Sequence, residues 1–193
     1  MESLVFAMSP SVCADARALL NRIIVGHGVS ALITEVEAYN GPDDPASHAY
    51  TRTPRSEIMF GPPMRLYVYQ MHGHHCANIV TSPEGQGSAV LIRAGRIVDG
   101  LDLARERRGH VADHLLGRGP GNLTRALGIT KTDLGTDVTR TDGVHLRPTH
   151  ERSGEILAGP RVGVRLAADR PWRYWIGGDP SVSAYRRHPK APR

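Results

Sequence analysis

Residues 28 to 39 alternate with the two-residue period of a β-strand, and the chain then breaks sharply at Asn40-Gly-Pro-Asp-Asp-Pro45. In that period Leu32, Thr34, Val36 and Ala38 share one face, and Ile33, Glu35, Glu37 and Tyr39 share the other. The first face is small and apolar and is expected to pack. The second carries two carboxylates beside an aromatic ring, a pattern suited to the wall of a cleft. The turn that ends the strand is rich in proline and acid and places His48 on a constrained loop.

The neighbouring stretch extends this chemistry. Four of the six tyrosines fall between Tyr39 and Asn78 if both ends are counted with Tyr50, Tyr67 and Tyr69. Thr51 to Arg65 reads as a connection rich in Arg, Pro and Gly. Leu66 to Met71 reads as a second strand and Ala77 to Thr81 as a third, joined by His72-Gly-His-His-Cys76 as a histidine-rich hairpin tip. Ser88 to Ala94, ending in Arg93, is a fourth strand of near-continuous apolar character.

Elsewhere the patterns are plainer. Ser9-Pro-Ser11 signals a helix start. Ala14, Ala16, Leu19, Leu20 and Ile23 or Ile24 form its stripe, and Gly26 ends it. Helices are predicted over 99–108, 111–116 and 123–127, the last after Gly119-Pro-Gly with Asn122 as its cap, a helix start whose backbone N–H groups can hold a phosphate or which is an ordinary capped helix. Late strands are expected in 159–166 and 171–176, and residues 133–152 read as loop with short strands at best. The basic segment 186–193 is expected to be a disordered tail after one domain over 1–185.

Composition limits the classes of function. A chain of 193 residues can bury a core without disulfides or metal. The net charge of +5 and pI of about 9.6 allow a polyanionic partner without requiring one. Cys13 and Cys76 lie in no paired motif, and no apolar run approaches bilayer length, so a reduced, cytoplasmic setting is expected.

Each candidate group has a functional and a plain reading. Glu35 and Glu37 are paired strand carboxylates; Glu37, next to the closing turn, is the better placed to act as a general base on water. Tyr39, His48 and Tyr69 can wall a slot for a flat ring, or simply edge the core. His72, His74, His75 and Cys76 invite a metal, but adjacent residues on a strand or tight turn point apart, so all four do not meet at one ion, and a metal-dependent hydrolase built on His72 and His74 with a third ligand is a lesser alternative. Arginines 52, 55, 65, 93, 105, 107, 108, 118 and 125 are a candidate phosphate face or a set of solvated side chains. A non-catalytic nucleic-acid-binding protein is the other alternative.

Read in order, a set of short motifs resembles the alkyladenine (3-methyladenine) DNA glycosylase family of the human type, and most nearly its short actinobacterial members. They are Glu35-Val-Glu37-Ala-Tyr39, His48, Thr53-Pro-Arg55, Met59-Phe-Gly-Pro-Pro63, Leu66-Tyr-Val-Tyr69, Cys76-Ala-Asn78, Val90-Leu-Ile-Arg93-Ala94, Gly119-Pro-Gly-Asn-Leu123 and Arg161-Val-Gly-Val164. The resemblance runs from about residue 10 to residue 185. It implies an α+β fold, a single mixed domain with a curved antiparallel sheet flanked by helices and a protruding β-hairpin. It further implies a monofunctional glycosylase of base excision repair that flips alkylated purines out of double-stranded DNA and hydrolyses the N-glycosidic bond.

By resemblance, Glu37 is the general base and Arg93 positions the water and binds DNA. Tyr39 and His48 form one side of the base pocket, Tyr69 stacks on the other, and Asn78 helps to reject normal purines. His72, where many members have tyrosine, fills the gap left by the flipped nucleotide. No metal, no cofactor and no membrane partner are implied. A monomer associated with the nucleoid is expected, and with Lys131 and Lys190 the only lysines, no Schiff-base chemistry is expected in the core stretch.

Overall fold

The computed structural model describes residues 11–149 and 153–192; the Ser9-Pro10 part of the expected helix start lies outside them. Helix α1, Val12–Leu19, is capped by Ser11, whose hydroxyl accepts the Cys13 N–H at 3.3 Å. It buries Val12, Asp15, Ala16 and Leu19, while Ala14 faces solvent. The helix does not continue to Gly26 as the periodicity predicted. Asn21 takes a positive φ of 61°, and the β-branched run that follows forms strand β1, Ile23–Gly26. An isolated apolar run of this length fits either period, and pairing decided between them.

Strand β1 turns directly into β2, Val29–Asn40. The two-residue loop is His27-Gly28, with φ of 44° and 82°. Strands β3, Leu66–Met71, and β4, His74–Val80, are joined in the same manner by His72-Gly73, with φ of 50° and 78°. Two successive positive φ values give the turn whose twist matches a hairpin, and glycine at the second position removes most of the steric cost. The second hairpin is therefore tighter than the five-residue tip expected from the sequence, because His74, His75 and Cys76 belong to the strand.

Strand β5, Ser88–Asp99, pairs antiparallel with β2 along nearly its whole length and with β4 on its other side. Helix α2, Leu101–Arg108, follows, and helix α3 begins at Pro120 and runs to Leu127. The expected helix over 111–116 is only a single 3-10 turn, Asp113–Leu115. Strands β6, His145–Arg147, β7, Ile156–Gly159, and β8, Arg173–Ile176, complete an eight-stranded antiparallel sheet. The predicted strand over 159–166 ends where it was to begin, at Gly159, and residues 160–166 form a loop. The sheet order is β3-β4-β5-β2-β1-β6, with β8 pairing β2 and β7.

The β2 strand changes partner part-way along. Its first half pairs β1, and Glu35 to Glu37 pair β8. Register shifts against β5 fall between Ile33 and Val36. A bulge moves the following side chains to the opposite face. Ala31 and Ile33 point into the main core before it; Val36 and Ala38 do so after it. The simple two-residue alternation placed Ile33 on the cleft face with Glu37, and the bulge is why that fails.

The main core lies between this sheet and helices α1 and α3, with α2 packed on α3. A smaller cluster of Ala49, Met59, Phe60, Tyr67, Val80 and Ala89 supports the turn region after β2. Among the described residues no helix is long and apolar enough to cross a membrane. Residues 186–192 have no regular secondary structure; the Arg186 carbonyl accepts the Gly163 N–H at 2.8 Å, and Arg187 pairs with Asp169.

Candidate active site

The cavity is built on one face of the pleat. Tyr67, Asn78, Leu91, Glu37 and Arg173 are successive cross-strand neighbours over β3, β4, β5, β2 and β8. Alternate residues along the first four strands then line a single hollow: Tyr67, Tyr69 and Met71; Cys76 and Asn78; Ala89, Leu91 and Arg93; Glu37 and Tyr39. The turn residues Pro45, Ala46 and His48 and the loop 162–166 close it to a volume of about 330 Å³. That lies at the lower end of the roughly 300–1,000 Å³ of small-molecule sites.

Glu37 is wholly buried and opens on this cavity. Its Oε2 accepts the Tyr39 hydroxyl at 2.9 Å, its Oε1 accepts the Val162 N–H at 2.6 Å, and an Arg93 guanidinium nitrogen stands 3.6 Å from Oε1. Burial, then the neighbouring Glu37 charge, push the Tyr39 phenol well above its ordinary range, so that it remains a donor. Glu35, the second carboxylate of the pair, does not reach the cavity. It is wholly buried behind it and accepts from Arg93 Nε at 2.9 Å, Arg173 Nε at 2.7 Å, and both the N–H and the hydroxyl of Ser183. The bulge between the two separates residues that plain alternation would have placed side by side.

Arg93 is buried and spans both carboxylates. Burial works against its charge, but Glu37 and Glu35 outweigh it and hold the guanidinium more firmly protonated than usual. Asn78 is buried at the cavity floor and donates its side-chain N–H to the Tyr67 carbonyl at 3.0 Å.

His48 sits on a short 3-10 turn, His48–Tyr50, capped by Ser47. Its Nδ1 lies 2.9 Å from the Tyr67 hydroxyl. Its ring meets Tyr69 edge-on with centroids 4.6 Å apart, so no second ring fits between these two. His48 is thus a neighbour of Tyr69 and not a wall facing it across a slot. Burial, with Arg55 adding to it, lowers the imidazole to about 4 and keeps it neutral.

A fully buried ion pair that sequence reading did not single out secures one wall. Arg161 donates to Asp44 Oδ1 at 2.9 Å and to the Ala38 carbonyl at 3.0 Å, and its guanidinium lies 4.7 Å from the centre of the Tyr39 ring. Asp44 in turn accepts the Ala46 N–H, which fixes the turn carrying His48. Arg161 and Asp44 are 117 positions apart, and neither has a local signal beyond a motif and a turn.

The hairpin carries Met71, half-exposed at the cavity rim, and His72, exposed at the tip and outside the cavity. His74 packs on α3 at Gly121, where a Cβ would stand 2.8 Å from that of His74, and the Thr124 hydroxyl donates to the His75 carbonyl at 2.7 Å. Gly121 therefore serves close packing of helix on hairpin. Asn122, expected as the cap, lies inside the helix and donates back to the Arg118 carbonyl. Among the described residues no three His, Cys, Asp or Glu side chains gather to hold a metal, and His72 and His74 are no exception. Most of the arginines named as a candidate phosphate face already have protein partners. Arg52, Arg65 and Arg105 pair with carboxylates, and Arg107, Arg108 and Arg118 donate to backbone carbonyls.

Sequence comparison with known proteins gives consistent matches. Residues 6–180 match the family described as methylpurine-DNA glycosylase (MPG). A protein of Mycobacterium sp. (strain KMS) is 50% identical over 188 residues, covering 92% of this chain and 90% of its own. One of Mycobacterium leprae (strain Br4923) is 52% identical over 185 residues, 92% and 86% respectively. One of Mycobacterium tuberculosis (strain ATCC 25177 / H37Ra) is 50% identical over 190 residues, 93% and 92%. All three carry the name "Putative 3-methyladenine DNA glycosylase". With its match spanning nearly the whole domain and a carboxylate-bearing aromatic cavity on the sheet, the chain belongs to the methylpurine-DNA glycosylase family.

Proposed function

We propose that this protein is a monofunctional DNA glycosylase that releases alkylated purines of the 3-methyladenine type from duplex DNA by hydrolysis and leaves an abasic site. The observation that carries the reading is Glu37: a wholly buried carboxylate, held by Tyr39 and the Val162 N–H, at the wall of an aromatic hollow. A base stacked in a duplex cannot reach such a hollow, so the nucleotide must rotate out of the helix. The faces of Tyr39 and Tyr69 then receive the ring. A purine alkylated at N3 or N7 is cationic, and electron-rich aromatic faces favour it.

Glu37 takes a proton from a water as that water attacks the sugar C1′, and its charge stabilises the positive character that develops on the sugar. Arg93 orients Glu37 and the water. Asn78, fixed by the Tyr67 carbonyl, borders the base edge and disfavours normal purines. His48, neutral and hydrogen-bonded to Tyr67, shapes the rim. His72 occupies the space vacated in the duplex, as apolar or planar wedges do. The alkylated base is already a good leaving group, so no strong acid is needed. Lys131 and Lys190, both exposed, stand outside the cavity, in keeping with hydrolysis alone. The enzyme acts as a monomer on this reading.

Glu37→Gln tests it. Release of free base from a duplex carrying one defined lesion is expected to fall by about 10²–10⁴-fold. Binding to duplex containing an abasic-site analogue is expected to persist. Undiminished release by this variant would refute the assignment.

A further inference from the structure

We infer that Glu35 is a positioning residue that sets the charge balance around Glu37, by drawing Arg93 and Arg173 to itself and leaving only the far edge of Arg93 toward the cavity. This rests on the reading of Glu37 as the base. The geometry is asymmetric: Arg93 Nε lies 2.9 Å from Glu35 Oε1, whereas its nearest approach to Glu37 is 3.6 Å. Arg173 Nε lies 2.7 Å from the same Glu35 oxygen, and the Arg173 backbone is the β8 register partner of Glu37. Ser183 closes the arrangement, donating to both oxygens of Glu35 while its hydroxyl accepts from Arg93 at 3.2 Å and its carbonyl from Arg173 at 2.7 Å. Two carboxylates and two guanidiniums thus share one buried site whose formal charge sums to zero.

The other groups near Glu37 do not supply this balance. Tyr39 on β2, Tyr69 on β3 and Cys76 on β4 are all held neutral by burial, with Glu37 itself adding to the effect. From the loop after β7 come the Val162 N–H and Arg161, and Arg161 is already paired with Asp44. Glu35, Arg93 and Arg173 therefore govern how much net positive charge Glu37 meets. An uncompensated positive neighbour within about 4–6 Å stabilises a carboxylate and weakens it as a base.

The test is single-turnover release of one lesion from one duplex, followed across pH for wild type, Glu35→Gln, Arg173→Gln and Glu37→Gln. Using the same substrate cancels its own protonation. Glu35→Gln leaves the site with one surplus positive charge, so the acid limb is expected to move to lower pH by about one unit, with a reduced plateau. Arg173→Gln leaves it one short, and the limb is expected to move to higher pH. Loss of packing alone would lower rates without moving the limbs in opposite directions. Limbs that stay in place, or that move the same way in both variants, would overturn the inference while an inactive Glu37→Gln keeps the base assignment standing. If Glu35→Gln does not fold, Arg173→Gln decides: only a limb at higher pH upholds the proposal. Wild-type release by Glu37→Gln would remove both readings together.

Discussion

At the scale of single residues, the pocket depends on keeping its polar side chains in chosen protonation states. His48 shows how burial does this. Its imidazole is lowered to about 4, by burial first and by Arg55 second, against an ordinary value of 6.5. The folded protein therefore refuses a proton that the unfolded chain accepts. The resulting stability is present in full above about pH 6.5 and is lost as pH falls from there through 4. A proton-NMR titration of the His48 ring is expected to show a midpoint near 4. A midpoint near 6.5 would mean that the rim is open to water and that His48 does not hold its contact with Tyr67. Glu35 and Glu37 teach a related lesson. Two identical side chains two positions apart have different surroundings: one is held by two arginines and the other lines a cavity.

At the scale of elements, the hairpin of β3 and β4 and the bulged strand β2 carry the site between them. The hairpin presents Tyr69 and Met71 to the cavity and His72 beyond it, with α3 braced beneath through Gly121 and Thr124. His72→Ala is expected to weaken binding to abasic-site duplex more than it slows excision from single-stranded DNA, where there is no stack to fill. Equal losses in both assays would assign His72 to the chemistry or to folding. Gly73, at φ 78° with open space where a Cβ would stand, gives a cleaner probe of the turn itself. Gly73→Ala is expected to cost about 1–2 kcal/mol in denaturant unfolding, because an L-residue resists the left-handed region.

At the scale of the whole molecule, the two sides of the cavity are joined by contacts between distant parts of the chain. Asp44 and Arg161 tie the turn after β2 to the loop after β7, and both side chains are wholly buried. Removing one partner of a buried pair leaves the other charged and unsolvated. Asp44→Ala is expected to destabilise the protein by about 3–5 kcal/mol, read as a lowered urea midpoint, with loss of base release following from a displaced Tyr39 and Val162. A change under 1 kcal/mol would show that water reaches Arg161 and that the pair does not brace the wall.

Much of this protein could be read before it was folded. Strong local signals marked the long strand, its abrupt turn, the hairpin, most of the late strand, which begins at Arg173 and leaves Trp172 outside it, and the ordered motifs that implied the family. These depend on side-chain period and on backbone preferences that act within a few residues. Three decisions belonged to tertiary structure alone. The ambiguous run at 23–26 became a strand because β2 and β6 offered it partners. The bulge beside Glu35 switched faces in the middle of β2, because pairing with β5 and β8, and not the alternation of its own residues, sets the register. Lastly, Val162, Arg173 and Ser183 came to the two glutamates from 125 to 148 positions away. Charge pairing in a buried site is a property of distance in space, and one-dimensional spacing carries no record of it.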